Sequence, residues 1–349
     1  MLNEKKLRVA MLAPITWRTP PKKYGPWERV VSLITEGLVK REVEVTLFAT
    51  ADSQTSARLR AACPQGLGEN KNLDVSVWTA LHFAQLFESA DEFDVIHNNF
   101  DIMPLTYARL ITTPIVTTIH GFPSSQSHRV YEHYDSNAYY VSISNANRHP
   151  SLHYLATVYH GIDIENFTFN ASPEEYLLFF GRIHNDKGTK EAIEVARATG
   201  HRLLIAGLIQ DEEYFSREVK PHLDDQQVAY VGNVGPAERD RLLGGAKALL
   251  HLINFDEPFG LSVAEAMACG TPVIAFNRGS MPEIIQDGIT GFLVNTVDQA
   301  VRAVQKIPQL DRQASRHRIE TNFTTERMVS RYLQVYEQAI ADWQKKIRN

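Results

Sequence analysis

Strand-length apolar runs alternate with segments of helical period along almost the whole chain, a pattern that points to parallel sheets covered by helices on both faces. In the first half the runs Leu7–Pro14, Val43–Ala49, Asp94–His97, Pro114–Ile119, Tyr139–Ser142 and Thr157–Tyr159 read as strands. Helical spacing fills Trp27–Lys40, Val77–Glu88 and Met103–Leu110 between them. Residues 161–175, rich in turn formers and acids, interrupt the pattern before Tyr176–Gly181 restarts it.

The second half repeats the scheme. Leu203–Ala206, Val228–Val231, Ala248–Leu252, Pro272–Ala275 and Gly291–Val294 read as strands, and Thr189–Thr199, Glu212–His222, Glu238–Gly244, Leu261–Cys269 and Val297–Ile307 as helices. A chain of 349 residues exceeds the usual single core. The expected division is an N-terminal domain over 1–160 and a C-terminal domain over 161–323. From Thr324 to Lys346, apolar residues recur at helical spacing through Met328, Tyr332, Val335, Tyr336 and Ile340, so this last helix needs a surface to cover it.

Composition narrows the function classes. Hydrophobic residues at 44% and charged residues at 22% suit a globular chain, and a net charge of −5 gives no sign of a nucleic-acid partner. Residues 1–50 nevertheless hold nine Lys/Arg against five Asp/Glu, among them Lys5, Lys6, Arg8, Lys22, Lys23, Lys40 and Arg41. Such an edge fits simple solvation, an anionic substrate, or peripheral contact with an acidic membrane surface. The two cysteines, Cys63 and Cys269, make neither a disulfide framework nor a metal cluster. With no secretory leader read before the first strand and no apolar run of about 18 residues, the expected location is cytoplasmic, with any membrane contact peripheral.

The chemistry concentrates in Glu257-Pro-Phe-Gly-Leu-Ser-Val-Ala-Glu265. One carboxylate precedes a predicted helix whose free first-turn amides suit a diphosphate, and the other lies inside it. Eight helical residues span ~12 Å, too far for both groups to act on one bond but suited to gripping two ends of a long ligand. A capped surface helix is the plainer alternative.

In open parallel sheets ligands gather beyond the carboxyl ends of strands. After Tyr176–Gly181 come Arg182 and Lys187, a forked and a compact cation able to neutralise a diphosphate. After Pro114–Ile119 comes His120 beside Gly121, positioned to hydrogen-bond a sugar hydroxyl, whereas His97 and His160 read as structural. The first strand empties into a loop rich in proline and aromatics ending in Gly25-Pro26-Trp27-Glu28. No Gly-x-Gly-x-x-Gly follows that strand, which argues against NAD, and Gly66-x-Gly68 reads as loop composition. There is no Asp-x-Asp pattern for a divalent cation, so no metal and no cofactor are expected.

Taken together, Glu257-x7-Glu265, the Gly181-Arg182 and Lys187-Gly188 pair, His120-Gly121, the segment VYHGIDIENF at Val158–Phe167 and Gly279-Ser-Met-Pro-Glu283 resemble the retaining glycosyltransferases of family 4, the glycogen-synthase-like group 1 enzymes. The resemblance covers most of the chain. It implies a GT-B fold: α/β, two doubly wound Rossmann-like domains with an interdomain cleft and a C-terminal helix, 324–349, packing back on the N-terminal domain. It also implies transfer of a hexosyl unit from a UDP- or GDP-linked sugar to an acceptor hydroxyl, with retention and without metal. The nucleotide sugar is then a substrate, and the acceptor, whether glycan, lipid or small molecule, is unidentified.

By the same resemblance Glu257 would contact the donor sugar, with the backbone of Phe259, Gly260 and Leu261 nearby. Glu265 would accept from the ribose, Arg182 and Lys187 would hold the diphosphate, His120 would face the sugar, and residues 230–234 would border the base. Where relatives carry Gly-Gly-x-Glu this chain has Gly25-Pro26-Trp27-Glu28; Pro26 removes an amide donor but preforms a helix start. Gly25 still allows close approach to the donor, and Trp27 and Glu28 are acceptor-side candidates. Other readings of these residues are a phosphorylase or sugar-nucleotide epimerase on the same fold, or a non-catalytic sugar-nucleotide-binding module.

Overall fold

A computed structural model describes residues 6–348, so Lys5 lies outside the described residues. The chain divides into two compact units, Met1–Gly161 with Thr325–Asn349, and Ile162–Thr324.

The first unit holds β1 (Arg8–Leu12), α1 (Pro26–Lys40), β2 (Glu44–Phe48), β3 (Arg58–Arg60), α2 (Val75–Phe87), β4 (Val95–Asn98), β5 (Ile115–Ile119), α3 (Ser125–Tyr134), β6 (Tyr139–Ser142) and β7 (Tyr154–Thr157). Its seven strands are ordered β3-β2-β1-β4-β5-β6-β7, every pair parallel. Strand order reverses between β1 and β4, which opens a crevice at their carboxyl ends. Pro26 occupies the first turn of α1, where its missing amide is harmless, and Gly25 before it has φ 150°.

The second unit holds β8 (Tyr176–Phe180), α4 (Thr189–Thr199), β9 (Arg202–Ala206), α5 (Glu212–Tyr214), β10 (Val228–Gly232), α6 (Pro236–Gly245), β11 (Ala248–His251), α7 (Leu261–Ala268), β12 (Val273–Phe276), α8 (Met281–Ile284), β13 (Gly291–Val294), α9 (Val297–Val304) and α10 (Arg312–Asn322). Its six parallel strands run β10-β9-β8-β11-β12-β13, so the reversal falls between β8 and β11. Each unit has its own buried apolar cluster, around Leu12, Phe83, Ile96 and Tyr140 in the first and Leu177, Ile205, Leu250 and Ile274 in the second. Two Rossmann-like units of this kind are the parts of the GT-B fold.

The final helix, α11 (Thr325–Arg348), completes the first unit. Met328, Val329, Tyr332, Val335, Tyr336 and Ala339 are its buried face, Ala339 taking the place expected of Ile340. A Cβ on Gly37 would stand 2.5 Å from Val329 Cγ2, so the glycine in α1 is what lets the two helices approach. Tyr336 Oη lies 2.7 Å from His97 Nδ1, and Thr118 Oγ1 bridges His97 Nε2 at 2.7 Å and Tyr332 Oη at 2.9 Å. His97 is thus a fastener for α11, and burial pulls its pKa down to about 3.

Four expectations shift. The helix expected over Met103–Leu110 is a five-residue 3-10 segment, Met103–Tyr107. The last strand of the first unit lies at 154–157 rather than 157–159. The helix expected over Glu212–His222 is one α-turn that passes into a five-residue π segment and then a 3-10 turn at Pro221. Val297–Ile307 is a helix to Val304, with a separate 3-10 turn from Ile307.

Candidate active site

In the second unit, the loops following β8 and β11 flank the strand-order reversal and are stitched together there. Asn254 N donates to Asp186 O at 2.8 Å, and a Cβ on Gly188, whose φ is +77°, would fall 1.9 Å from Leu252 O. Only glycine permits that approach. The stitch sets Lys187 against Glu257: Nζ donates to Oε2 at 3.3 Å, both side chains are largely buried, and the ammonium lies 4.3 Å from the Phe255 ring centre.

His251, the last residue of β11, places Nε2 3.4 Å from the same Oε2, at ion-pair distance but outside hydrogen-bond alignment. Burial by itself pushes the Glu257 carboxyl up; His251 and the Lys187 ammonium outweigh it and hold the pKa at about 2. Glu257 is therefore an anion at any physiological pH. Its backbone is fixed from behind: Ser280 N donates to Glu257 O at 2.8 Å, and a Cβ on Gly279 would meet Glu257 N at 2.4 Å and O at 2.3 Å. That contact explains why a glycine-serine turn accompanies the acidic motif.

Gly260 caps α7 with φ +86° and so turns the chain directly into the helix. Its carbonyl accepts from Val263 and Ala264, while the amides of Leu261 and Ser262 have no helical carbonyl behind them. The Phe259 side chain is core, 6.0 Å from the Phe323 ring, which leaves only its backbone for a ligand. One turn into α7, Glu265 Oε1 pairs with Arg239 Nη1 at 3.2 Å, and the Arg239 guanidinium lies 5.0 Å from the Phe167 ring centre. The two carboxylates of the motif thus answer to different cations. Arg182 hydrogen-bonds the Gln210 side chain and joins neither pair. Tyr230 Oη donates to Gly207 O at 2.9 Å, bracing the loop after β9.

The first unit gathers its polar groups at its own reversal. His120, after β5, is 6% exposed; Nε2 lies 2.9 Å from Asn99 Oδ1, after β4, and Nδ1 lies 3.4 Å from His160 Nε2. Its ring stacks between those of Trp27 at 5.3 Å and His160 at 5.2 Å. Burial holds it neutral, with a pKa of about 3. Glu28, 3% exposed in the first turn of α1, accepts from Trp17 N at 3.1 Å, and burial raises its carboxyl to about 7 against the pull of two backbone amides. A Cβ on Gly25 would meet Pro21 Cβ at 2.7 Å and Glu28 Oε2 at 3.2 Å. Gly66 and Gly68 have a packing purpose, since a Cβ on either would press on Thr16 O and Trp17.

The structure therefore brings Lys187 together with Glu257, and Trp27 with His120, and leaves Arg182 apart from both. His251, Asn99, Gln210 and Arg239 are partners of the candidate residues that the sequence reading passed over. His251 and Asn99 stand at or just past strand ends, where the same rule that found His120 applies.

Residues 162–324 match the family model described as Glycosyl transferases group 1, and residues 27–165 match Glycosyltransferase Family 4. The chain belongs to these glycosyltransferases. The chain is 31% identical to the glycogen synthase of Mycobacterium tuberculosis over 205 residues, which make up 54% of the chain and 49% of the relative. It spans about half the length of the curated relatives it matches. Among solved structures it resembles the sucrose-phosphate synthase of Thermosynechococcus elongatus at TM-score 0.79 and 19% identity, covering 97% of this chain and 100% of that one. It also resembles Anabaena HepE in complex with UDP-glucose at TM-score 0.73 and 17% identity, covering 95% and 100%. At these identities the likeness speaks for the fold.

Proposed function

We propose that this glycosyltransferase moves a hexosyl unit from a UDP- or GDP-linked sugar to an acceptor hydroxyl, retaining anomeric configuration and using no metal. The observation that carries the reading is the Glu257–Lys187–His251 cluster beside the N-terminus of α7, at the strand-order reversal of the second sheet. An ionised carboxylate suits the sugar hydroxyls. The ammonium beside it is positioned to share its charge with an arriving diphosphate, whose other oxygens would take the Leu261 and Ser262 amides. Glu265, held separately by Arg239, would take the ribose.

Charge on the departing diphosphate would be stabilised by Lys187, by Arg182 after it leaves Gln210, and by the helix end. Neither glutamate would serve as a nucleophile, because Glu257 is engaged by two partners and Glu265, one turn inside α7, is held by Arg239. His120 is assigned to the transferred sugar; in that role its ring exchanges Asn99 or His160 for a sugar hydroxyl. The UDP-glucose held by HepE makes a UDP-sugar the first donor to try.

The purified chain is tested with a panel of nucleotide sugars and acceptors, reading release of UDP or GDP. Lys187→Ala and Glu257→Gln are each expected to lower kcat/KM by roughly 100-fold. Full turnover in both variants overturns the site, and a thermal-shift response that is flat across all donors overturns the substrate class.

A further inference from the structure

The loop that leaves the carboxyl end of β1, at the strand-order reversal of the first sheet, carries a cation that the proposed chemistry does not use. Residues 13–25 include Arg18, Lys22 and Lys23 and no Asp or Glu. Lys22 Nζ lies 3.4 Å from Glu69 Oε1, and Lys23 is exposed. Arg18 differs from both. It is partly buried, its Nε is covered without a hydrogen-bond partner, and no acceptor among the described residues engages its guanidinium. The carboxylates of the neighbouring segments are occupied elsewhere: Glu28 accepts from Trp17 N, Asp52 from Thr50 Oγ1 at 2.6 Å, and Glu69 pairs with Lys22. A buried donor left unmatched costs free energy that folded proteins ordinarily offset with a partner.

The backbone is fixed on either side of this arginine. Trp17 N donates to Glu28 Oε1 at 3.1 Å, Thr19 N donates to Ser53 Oγ at 2.9 Å, and Thr19 O accepts from Gln54 N at 2.8 Å. Just upstream, Ile15 O and Thr16 O accept from Leu67 N and Gly68 N at 2.9 and 2.8 Å. A guanidinium on so constrained a stretch is held in place before any ligand arrives, which spares binding the cost of ordering the loop. The same contacts lead to the candidate sugar side of the unit. Trp17 is held by Glu28 in the first turn of α1, and the preceding residue, Trp27, stacks on the His120 ring.

We propose that Arg18 binds an oxyanion, a phosphate ester or a carboxylate, carried by the acceptor whose hydroxyl receives the sugar. That the ligand is an acceptor rests on the sugar-transfer reading; that the site takes an anion does not. The planar fork offers parallel N–H donors to two oxygens of one group, which an ammonium cannot do. With Lys22 and Lys23 in the same acid-free loop, the local field favours a ligand of negative charge. A neutral sugar in this place would leave the guanidinium unmatched, so the arginine selects against neutral acceptors as well as for charged ones.

The full chain is titrated calorimetrically with inorganic phosphate and with glucose, glucose 6-phosphate and glucuronate, each with and without saturating UDP. UDP is present to occupy the candidate donor site; if UDP itself fails to bind, the donor reading falls and the Arg18 measurement stands. Saturable binding of phosphate and glucose 6-phosphate is expected in the presence of UDP, with glucose about tenfold weaker or more. A preference for glucose 6-phosphate over glucuronate marks the ligand as a phosphate ester, and the reverse as a carboxylate. Arg18→Met is expected to weaken phosphate binding roughly 30-fold and Arg18→Lys about fivefold, while Lys187→Ala leaves it unchanged. Melting temperature and UDP binding of the Arg18 variants are expected to match the parent chain, separating a lost anion site from a lost fold. Phosphate binding that Lys187→Ala abolishes and Arg18→Met leaves intact belongs to the donor site and overturns the proposal. So do glucose bound as tightly as glucose 6-phosphate, and no phosphate binding once UDP is present.

Discussion

Glu28→Gln isolates one buried charge. The carboxyl is 3% exposed and its pKa rises from 4.5 to about 7, with burial as the leading cause. A group whose proton affinity is higher in the folded state stabilises below its unfolded pKa and loses that contribution as pH climbs through the folded one. At about 1.4 kcal/mol for each tenfold change in affinity, ionised Glu28 costs the first unit roughly 3 kcal/mol near pH 8.5 and under ~1 kcal/mol near pH 5. Glutamine removes the charge and keeps an oxygen to accept from Trp17 N. The variant should gain stability at about pH 8.5, raising the melting temperature of the first unit by roughly 5 to 10 °C, with little gain at about pH 5. Calorimetry across that pH range is the assay. An equal gain at both pH values, or a loss at the higher one, refutes the argument that burial outweighs the backbone amides at Glu28.

Gly188→Ala should destabilise the second unit by at least ~3 kcal/mol and abolish turnover, since its Cβ would stand 1.9 Å from Leu252 O at a φ of +77°; a neutral thermal melt would contradict the stitched-loop geometry. Acid should act on the first unit in the sense opposite to Glu28. Burial depresses His82 to about 4 and His97 and His120 to about 3, so the unfolded chain binds more protons below 6.5 and stability falls as pH drops from there toward 3. Denaturant midpoints measured at about pH 7 and about pH 4.5 should differ, and a flat profile would show these imidazoles to be hydrated.

Legibility in the sequence followed burial. The runs RVAML, IVTTI, YLLFF and VIAF are strands because nearly every side chain in them is covered, and such runs need no tertiary information to recognise. The strand RLR was invisible: it is three residues long, edges its sheet, and is two-thirds arginine. Helices α3 and α10, SQSHRVYEHY and RQASRHRIETN, were missed because each buries only one or two side chains and so writes no apolar period. At the site, Glu257 and Glu265 were readable from their spacing around a glycine-capped helix. Lys187 was readable as a site cation but its pairing with Glu257 was not, and Arg239 was not readable at all: Arg239 comes from α6 and Lys187 from a loop 70 residues earlier than Glu257, pairings set by how loops and helices meet. The fully buried contact between His120 and Asn99 joins residues 21 apart that only parallel pairing of β4 and β5 brings side by side.

Helix α11 also imposes an order on how the molecule is made. The first unit ends its core at residue 161 and closes it only with residues 325–348, through Val329 on Gly37 and through Tyr332 and Tyr336 with Thr118 and His97. A ribosome must therefore deliver the whole of the second unit before the first can bury His97 against tyrosine. The half translated first is finished last, and until α11 arrives the surface that Val329, Tyr332 and Tyr336 cover stays open.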